Sequence, residues 1–241
     1  MSVAITSRQN PWFKRVREAL REHRDEIVIE GPKQVDDAVR AGWKAIAIFR
    51  TASGPQGLGA SEFTLSSELF DSLAETKSPQ NVLALFARPH FGLSSVLGSR
   101  SSVVVALDAV QDPGNVGTIV RLAAAFDCSG VVLLPGCADA YSPKAIRASV
   151  GAALSVPIAN ATIADLRDRN LYAADARAKT TDAPARDAVF VFGSEGRGVS
   201  DEIRAIAKTI AIPMSPRIES LNVAAAAAII LSKSYEASVG R

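Results

Sequence analysis

The side chains that could do chemistry fall in three short stretches, far apart in the chain. They are Asp112-Pro113-Gly114-Asn115 with Arg121, Gly193-Ser194-Glu195-Gly196-Arg197-Gly198, and Ile212-Pro213-Met214 followed by Ser220-Leu221-Asn222-Val223. Each stretch follows an apolar run that reads as a strand, so each supplies polar groups or glycines where a strand ends. Open α/β sheets bind ligands outside the carboxyl ends of their strands. Three such ends meeting at one crevice would bring together amides, a carboxylate and a guanidinium.

The Gly114 turn leads from a strand into a helix, whose first N–H groups have no partner inside the helix and suit an anion or a nucleotide. Asn115 is expected near that helix start as a cap or a ligand contact, and Arg121 about two turns further on. Glycines around Glu195 permit tight turns or close backbone approach. A phosphate-gripping loop is excluded because no lysine follows Gly198, and a dinucleotide fingerprint because the spacing is G-x-x-G-x-G. Ser220 and Asn222 suit a helix start, while the apolar Ile212, Met214 and Leu221 beside them suit a flat ring such as adenine.

Elements must be found to hold these residues. Trp12 or Phe13, Val16 and Leu20 recur at helical spacing, with Lys14, Arg17, Arg21 and Arg24 on the other face. Between Arg8 and Arg24 six basic side chains stand against only Glu18 and Glu22. Strands are expected at 27–31, ending in Gly31, and at 45–49 and 82–86, with a helix through Val35 and Val39 to Gly42. Residues 91–102 read as a Gly/Ser-rich linker. Beyond it come a strand at 103–110, a helix at 116–126, a strand at 131–134, a helix at 144–151, strands at 189–192 and 209–212, and a last helix from about 222 to 238. Strands alternating with helices imply an α/β fold with a mostly parallel sheet and helices on both faces.

The chain has 241 residues and a net charge of +2, too small by itself to mark a nucleic-acid binder. Two cysteines, Cys128 and Cys137, read as buried free thiols. The start lacks the apolar core of a signal peptide, and Val223–Leu231 is too short an apolar run to span a bilayer. The expectation is a soluble, cytoplasmic protein with no membrane partner. His23 and His90 are the only histidines and lie outside the three stretches, with no Cys/His cluster at zinc spacing, so no metal is expected and a Ser-His hydrolase is disfavoured.

Taken together and in this order, the three stretches resemble the motifs of the SpoU/TrmH family of S-adenosylmethionine-dependent RNA ribose 2′-O-methyltransferases. Arg121, Gly193-Ser194-Glu195-Gly196 and Ser220-Leu221-Asn222-Val223 carry the likeness, as does the segment Tyr141–Ala152, and it covers roughly residues 103–239. Ile5–Pro11, Glu30-Gly31-Pro32 and Pro79–Ala84 resemble, more loosely, the family's small substrate-binding domain, similar to RNA-binding ribosomal proteins. Asp127 stands where the family commonly has glycine.

The resemblance implies three regions: an RNA-binding domain at 1–90, the linker, and a methyltransferase domain at 103–241 with a deep trefoil knot, paired as a homodimer. It implies S-adenosylmethionine held by Gly193, Ile212, Met214 and Leu221, and no metal. Arg121 would be catalytic, with Asn115, Glu195, Ser220 and Asn222 shaping the site. RNA, ribosomal in preference to transfer RNA, would be gripped through Arg8, Lys14, Arg15 and Arg17. The alternatives are a transfer RNA 2′-O-methyltransferase, an inactive RNA-binding or assembly factor of the same fold, and a nucleotide-dependent enzyme using the Gly114 turn. The missing dinucleotide fingerprint argues against the last.

Overall fold

The computed structural model describes residues 3–22, 24–55, 57, 61–74, 76, 79–99, 101–178 and 182–240, so His23 lies outside the described residues. The chain divides into two compact units, Met1–Pro89 with Tyr141–Ile146, and His90–Ala140 with Arg147–Arg241.

The first unit is built on β1 (Val3–Ile5), α1 (Pro11–Glu22), β2 (Glu26–Glu30), α2 (Pro32–Arg40), β3 (Ala45–Arg50), β4 (Ser61–Leu65), α3 (Ser67–Asp71) and β5 (Val82–Ala87). Its five strands lie in the order β1-β4-β3-β5-β2. The β1–β4 and β3–β4 pairs are parallel, while β5 runs antiparallel to β2 and β3. Pro11 opens α1 where a missing N–H costs nothing, and the Asn10 side chain accepts a hydrogen bond from Trp12 N at 2.9 Å. Phe13, Val16 and Ala19 then face one way at helical spacing, into a core with Phe49, Phe63 and Leu85. The basic residues of α1 are left in water.

The second unit contains α4 (Leu93–Leu97), β6 (Val103–Asp108), α5 (Pro113–Ala125), β7 (Gly130–Leu133), β8 (Ile158–Asn160), β9 (Leu171–Ala174), β10 (Ala188–Gly193), α7 (Asp201–Ile206), β11 (Lys208–Ile210) and α8 (Val223–Val239), while α6 (Pro143–Ala148) is shared by the division between units. Its six strands are ordered β11-β9-β10-β6-β7-β8, and every pair is parallel. Alternate residues serve opposite faces. Val104, Ala106, Val189 and Val191 form a core with Val96 of α4 and Ile203 of α7. Val105, Leu107, Phe190 and Phe192 are equally buried but lie outside that cluster, on the side where α8 meets β10 and α5 meets β6. Burial on both faces explains why these strands read as continuous apolar runs.

Several expected boundaries move. The strand read to 110 ends at Asp108, because Ala109 turns left-handed at φ 54°. The helix read to 151 stops at Ala148, and the strand read to 212 at Ile210. Within the stretch read as a linker, 91–102, α4 buries Val96 completely. Four strands with no sequence signal appear, β1, β4, β8 and β9, each of three to five residues. No helix among the described residues is long and apolar enough to cross a membrane.

Candidate active site

Parallel register aligns the carboxyl ends of the strands. Gly193 ends β10 directly beside Asp108 at the end of β6, and Ala174 of β9 pairs with Ile210 of β11. The segments that follow therefore leave one edge of the sheet and carry all three stretches, the first of them running from Asp112 directly into α5.

The first stretch is set by Asp112. It is the cap of α5, its Oδ1 accepting from Asn115 N at 2.9 Å. Of the two roles expected for Asn115, cap or ligand contact, the cap falls to Asp112, and the Asn115 side chain is left for other partners. The third stretch ends in the cap of α8, where Asn222 Oδ1 accepts from Ala224 N at 2.9 Å and Ala225 N at 3.3 Å. That leaves Asn222 Nδ2, which donates to Asn115 Oδ1 at 3.2 Å. Asn115 Nδ2 in turn donates to Glu195 Oε1. Each amide has one orientation that satisfies both its neighbours. The result is a directed run from the α8 N-terminus to a carboxylate, which joins all three stretches.

The second stretch is a closed loop. Gly198 N donates to Ser194 O at 2.8 Å, and the two residues form a bridge. Buried Asp108 holds the loop's far end, its Oδ2 accepting from Ser200 N at 2.6 Å. A Cβ on Gly193 would stand 2.0 Å from the Gly198 carbonyl carbon, so this glycine is required by the loop's own closure. Gly196 differs: nothing lies within 4 Å of its would-be Cβ.

Beside this loop opens a cleft of about 540 Å³. The expected contacts Gly193, Glu195, Ile212, Met214, Ser220 and Leu221 all line it. Arg121 does not. It is exposed on α5, six residues beyond Asn115, and forms no hydrogen bond or ion pair with any described residue.

Sequence reasoning missed a charged group in the cleft wall. Asp175 follows β9, with its N–H donated to Ile210 O at 3.0 Å, and its side chain is 11% exposed. Its Oδ2 accepts from Arg204 Nη1 and its Oδ1 from Arg177 N at 2.9 Å. Burial alone would raise the Asp175 pKa, but the Arg177 N–H and the Arg204 guanidinium outweigh it and hold the carboxyl below its ordinary value of 3.8. The only available signal was an Asp after a four-residue strand that itself went unread.

The cysteines are free. Burial first, then the neighbouring Asp127 charge, pushes the Cys128 thiol up to about 12, and burial likewise raises Cys137. Neither is a nucleophile at neutral pH. Among the described residues no group of His, Cys, Asp and Glu could hold a metal ion.

In the first unit, Arg8, Lys14, Arg17 and Arg21 surround one shallow groove with Gln9 and Glu18. Arg15, expected to join them, turns away. Its guanidinium forks onto Glu26 with Nε to Oε2 at 2.9 Å and lies 5.0 Å from the Trp12 ring centroid, and the Glu26 pairing raises its pKa.

Comparison with known proteins identifies the family of this chain. A family model described as the SpoU rRNA Methylase family matches residues 102–232. An uncharacterized tRNA/rRNA methyltransferase from Synechocystis is 30% identical, over 97% of this chain and 93% of its own length. The Bacillus subtilis 23S rRNA (guanosine(2553)-2'-O)-methyltransferase RlmP is 30% identical over 91% of this chain and 92% of its own. The crystal structure of an AdoMet-bound rRNA methyltransferase from Sinorhizobium meliloti superimposes with a TM-score of 0.86, at 27% identity and 97% coverage of both chains.

Proposed function

Because this chain belongs to the SpoU rRNA methylase family, we propose that it transfers a methyl group from S-adenosylmethionine to a ribose 2′-hydroxyl of ribosomal RNA. The observation that carries this reading is the hydrogen-bonded run Asn222–Asn115–Glu195, whose Glu195 end lines the cleft. The cleft's volume is in the range of small-molecule sites, and its Ile212, Met214 and Leu221 suit the adenine. The sulfonium supplies an already activated methyl group.

The protein's task is then to place the sugar oxygen in line and to stabilise charge growing on it. Asn222, whose amide is fixed by the N-terminus of α8, and Asn115, whose amide is fixed between Asn222 and Glu195, position the ribose. Ser220 and Glu195 complete the rim. Arg121 supplies the catalytic charge. A guanidinium resists deprotonation, so it acts by electrostatic stabilisation of the oxygen. Its freedom from carboxylates among the described residues leaves it available for that role.

The first unit serves as the RNA-binding part, through Arg8, Lys14, Arg17 and Arg21, which can each meet a phosphate. Arg15 is reassigned to holding α1 on β2. Ribosomal RNA is favoured because the Bacillus relative is named for 23S rRNA. A homodimer through the second unit belongs to the same proposal. The first half of α8, Val223–Leu231, is apolar throughout, and Ile229, Tyr235 and Val239 of the helix remain 36–47% exposed, as a helix awaiting a second copy would be. A trefoil threading of the second unit belongs to the same proposal, as the family resemblance implies.

Arg121→Ala tests the assignment. Methyl transfer to ribosomal RNA should fall at least a hundredfold, about 2.7 kcal/mol of transition-state stabilisation, while calorimetry shows unchanged donor affinity. Near-normal turnover would remove Arg121 from the reaction.

A further inference from the structure

The donor proposed above has two ends, a flat adenosine and a charged amino-acid head, and the cleft has two kinds of wall. One wall is apolar, with Phe192, Ile212, Met214 and Leu221. The other is the Asp175–Arg177–Arg204 group that follows β9 and reaches across from α7. Within that group one carboxylate faces two guanidiniums, while Glu195, Arg197 and Glu219 line the cleft elsewhere.

Arg204 and Arg177 are not equivalent. Arg204 is partly buried, at 33% exposure, and is held at both ends, by Asp175 and by Val199 O at 3.5 Å. Its charge is matched by Asp175. Arg177 is 84% exposed, and its Nε stands 3.7 Å from Asp175 Oδ1, beyond a good hydrogen bond. Its backbone N–H, however, is fixed to that same oxygen in an Asx turn. Asp175 therefore anchors the root of Arg177 at the cleft wall while leaving the fork of its guanidinium open. An open guanidinium fork at the cleft wall fits a carboxylate, which it can take through two parallel hydrogen bonds.

We propose that Arg177, with its backbone anchored by Asp175, binds the α-carboxylate of the donor's amino-acid head and makes the site select nucleosides that carry that head. This rests on the donor reading above. It adds which side chain reads which end of the ligand.

Calorimetry with three nucleosides separates the possibilities: S-adenosylhomocysteine carries the head, 5′-methylthioadenosine keeps the adenosine and sulfur without it, and adenosine lacks both. For Arg177→Ala the affinity for S-adenosylhomocysteine should drop roughly tenfold, the scale of one charge-assisted contact, with 5′-methylthioadenosine and adenosine changed less than about twofold. Arg177→Lys should recover part of the loss, since it keeps the charge but not the fork. Equal losses for all three ligands would overturn the proposal, because the residue would then serve the nucleoside end. So would unchanged ligand affinities with weakened RNA binding, which would make Arg177 a phosphate contact. Failure of the unmutated protein to bind any of the three would instead overturn the donor reading itself.

Discussion

Arg8 and, on α1, Lys14, Arg17 and Arg21 stand in water around a shallow groove. At the carboxyl edge of the parallel sheet, Asn115 and Asn222 are tied to each other and to Glu195, and Asn222 is tied to a helix N-terminus as well. The first region works by charge, which is screened, summed and tolerant of exact position. The second works by geometry, in which each group has one orientation. The difference teaches what each region can recognise: a phosphate backbone of any sequence in one, a single sugar in the other.

Beyond Arg121, the largest effect that would sharpen this contrast is expected at the amide run. Asn115→Ala and Asn222→Ala should each lower turnover at least tenfold in a methyl-transfer assay. Because the two act as a unit, the double variant should be little worse than the poorer single one. Asn222→Ala should also cost about 1 kcal/mol in denaturant unfolding, through loss of the α8 cap. Fully additive losses would break the comparison by making the amides independent contacts.

A smaller, graded effect is expected on α1. Lys14→Glu with Arg17→Glu should weaken ribosomal RNA binding and reduce the slope of log K against log salt by roughly 2, leaving donor affinity unchanged. Arg15→Ala should leave that slope unchanged and lower stability by less than about 1 kcal/mol, since its partner is Glu26 and the pair is partly exposed. A salt slope that moves with Arg15 as much as with Lys14 would return Arg15 to the RNA face.

Legibility followed the length and regularity of each signal. The apolar runs of β6 and β10 and the helical spacing on α1 were readable because whole faces are buried. The three stretches were readable as polar groups at strand ends. Short strands such as β8 and β9 were not, because three or four residues carry no period and their pairing comes from neighbours distant in sequence. With β9 unread, Asp175 had no reason to stand out. Asp108 went unnoticed inside a run taken as strand to 110. Arg15 could not be told from Arg17 by spacing, since only the tertiary position of Glu26 separates them. Asp127 shows the opposite case. It keeps the left-handed φ of 53° that glycine would adopt, a conformation aspartate tolerates better than most residues.

Product chemistry decides the matter most directly. Ribosomal RNA incubated with the protein and S-adenosylmethionine bearing an isotope-labelled methyl group would be digested to nucleosides and resolved by mass spectrometry. The label should appear on the ribose of one nucleoside, as a 2′-O-methyl group, and vanish with Arg121→Ala. Label on a base, or undiminished ribose label in the variant, would contradict a site in which three loops place a sugar hydroxyl before an activated methyl.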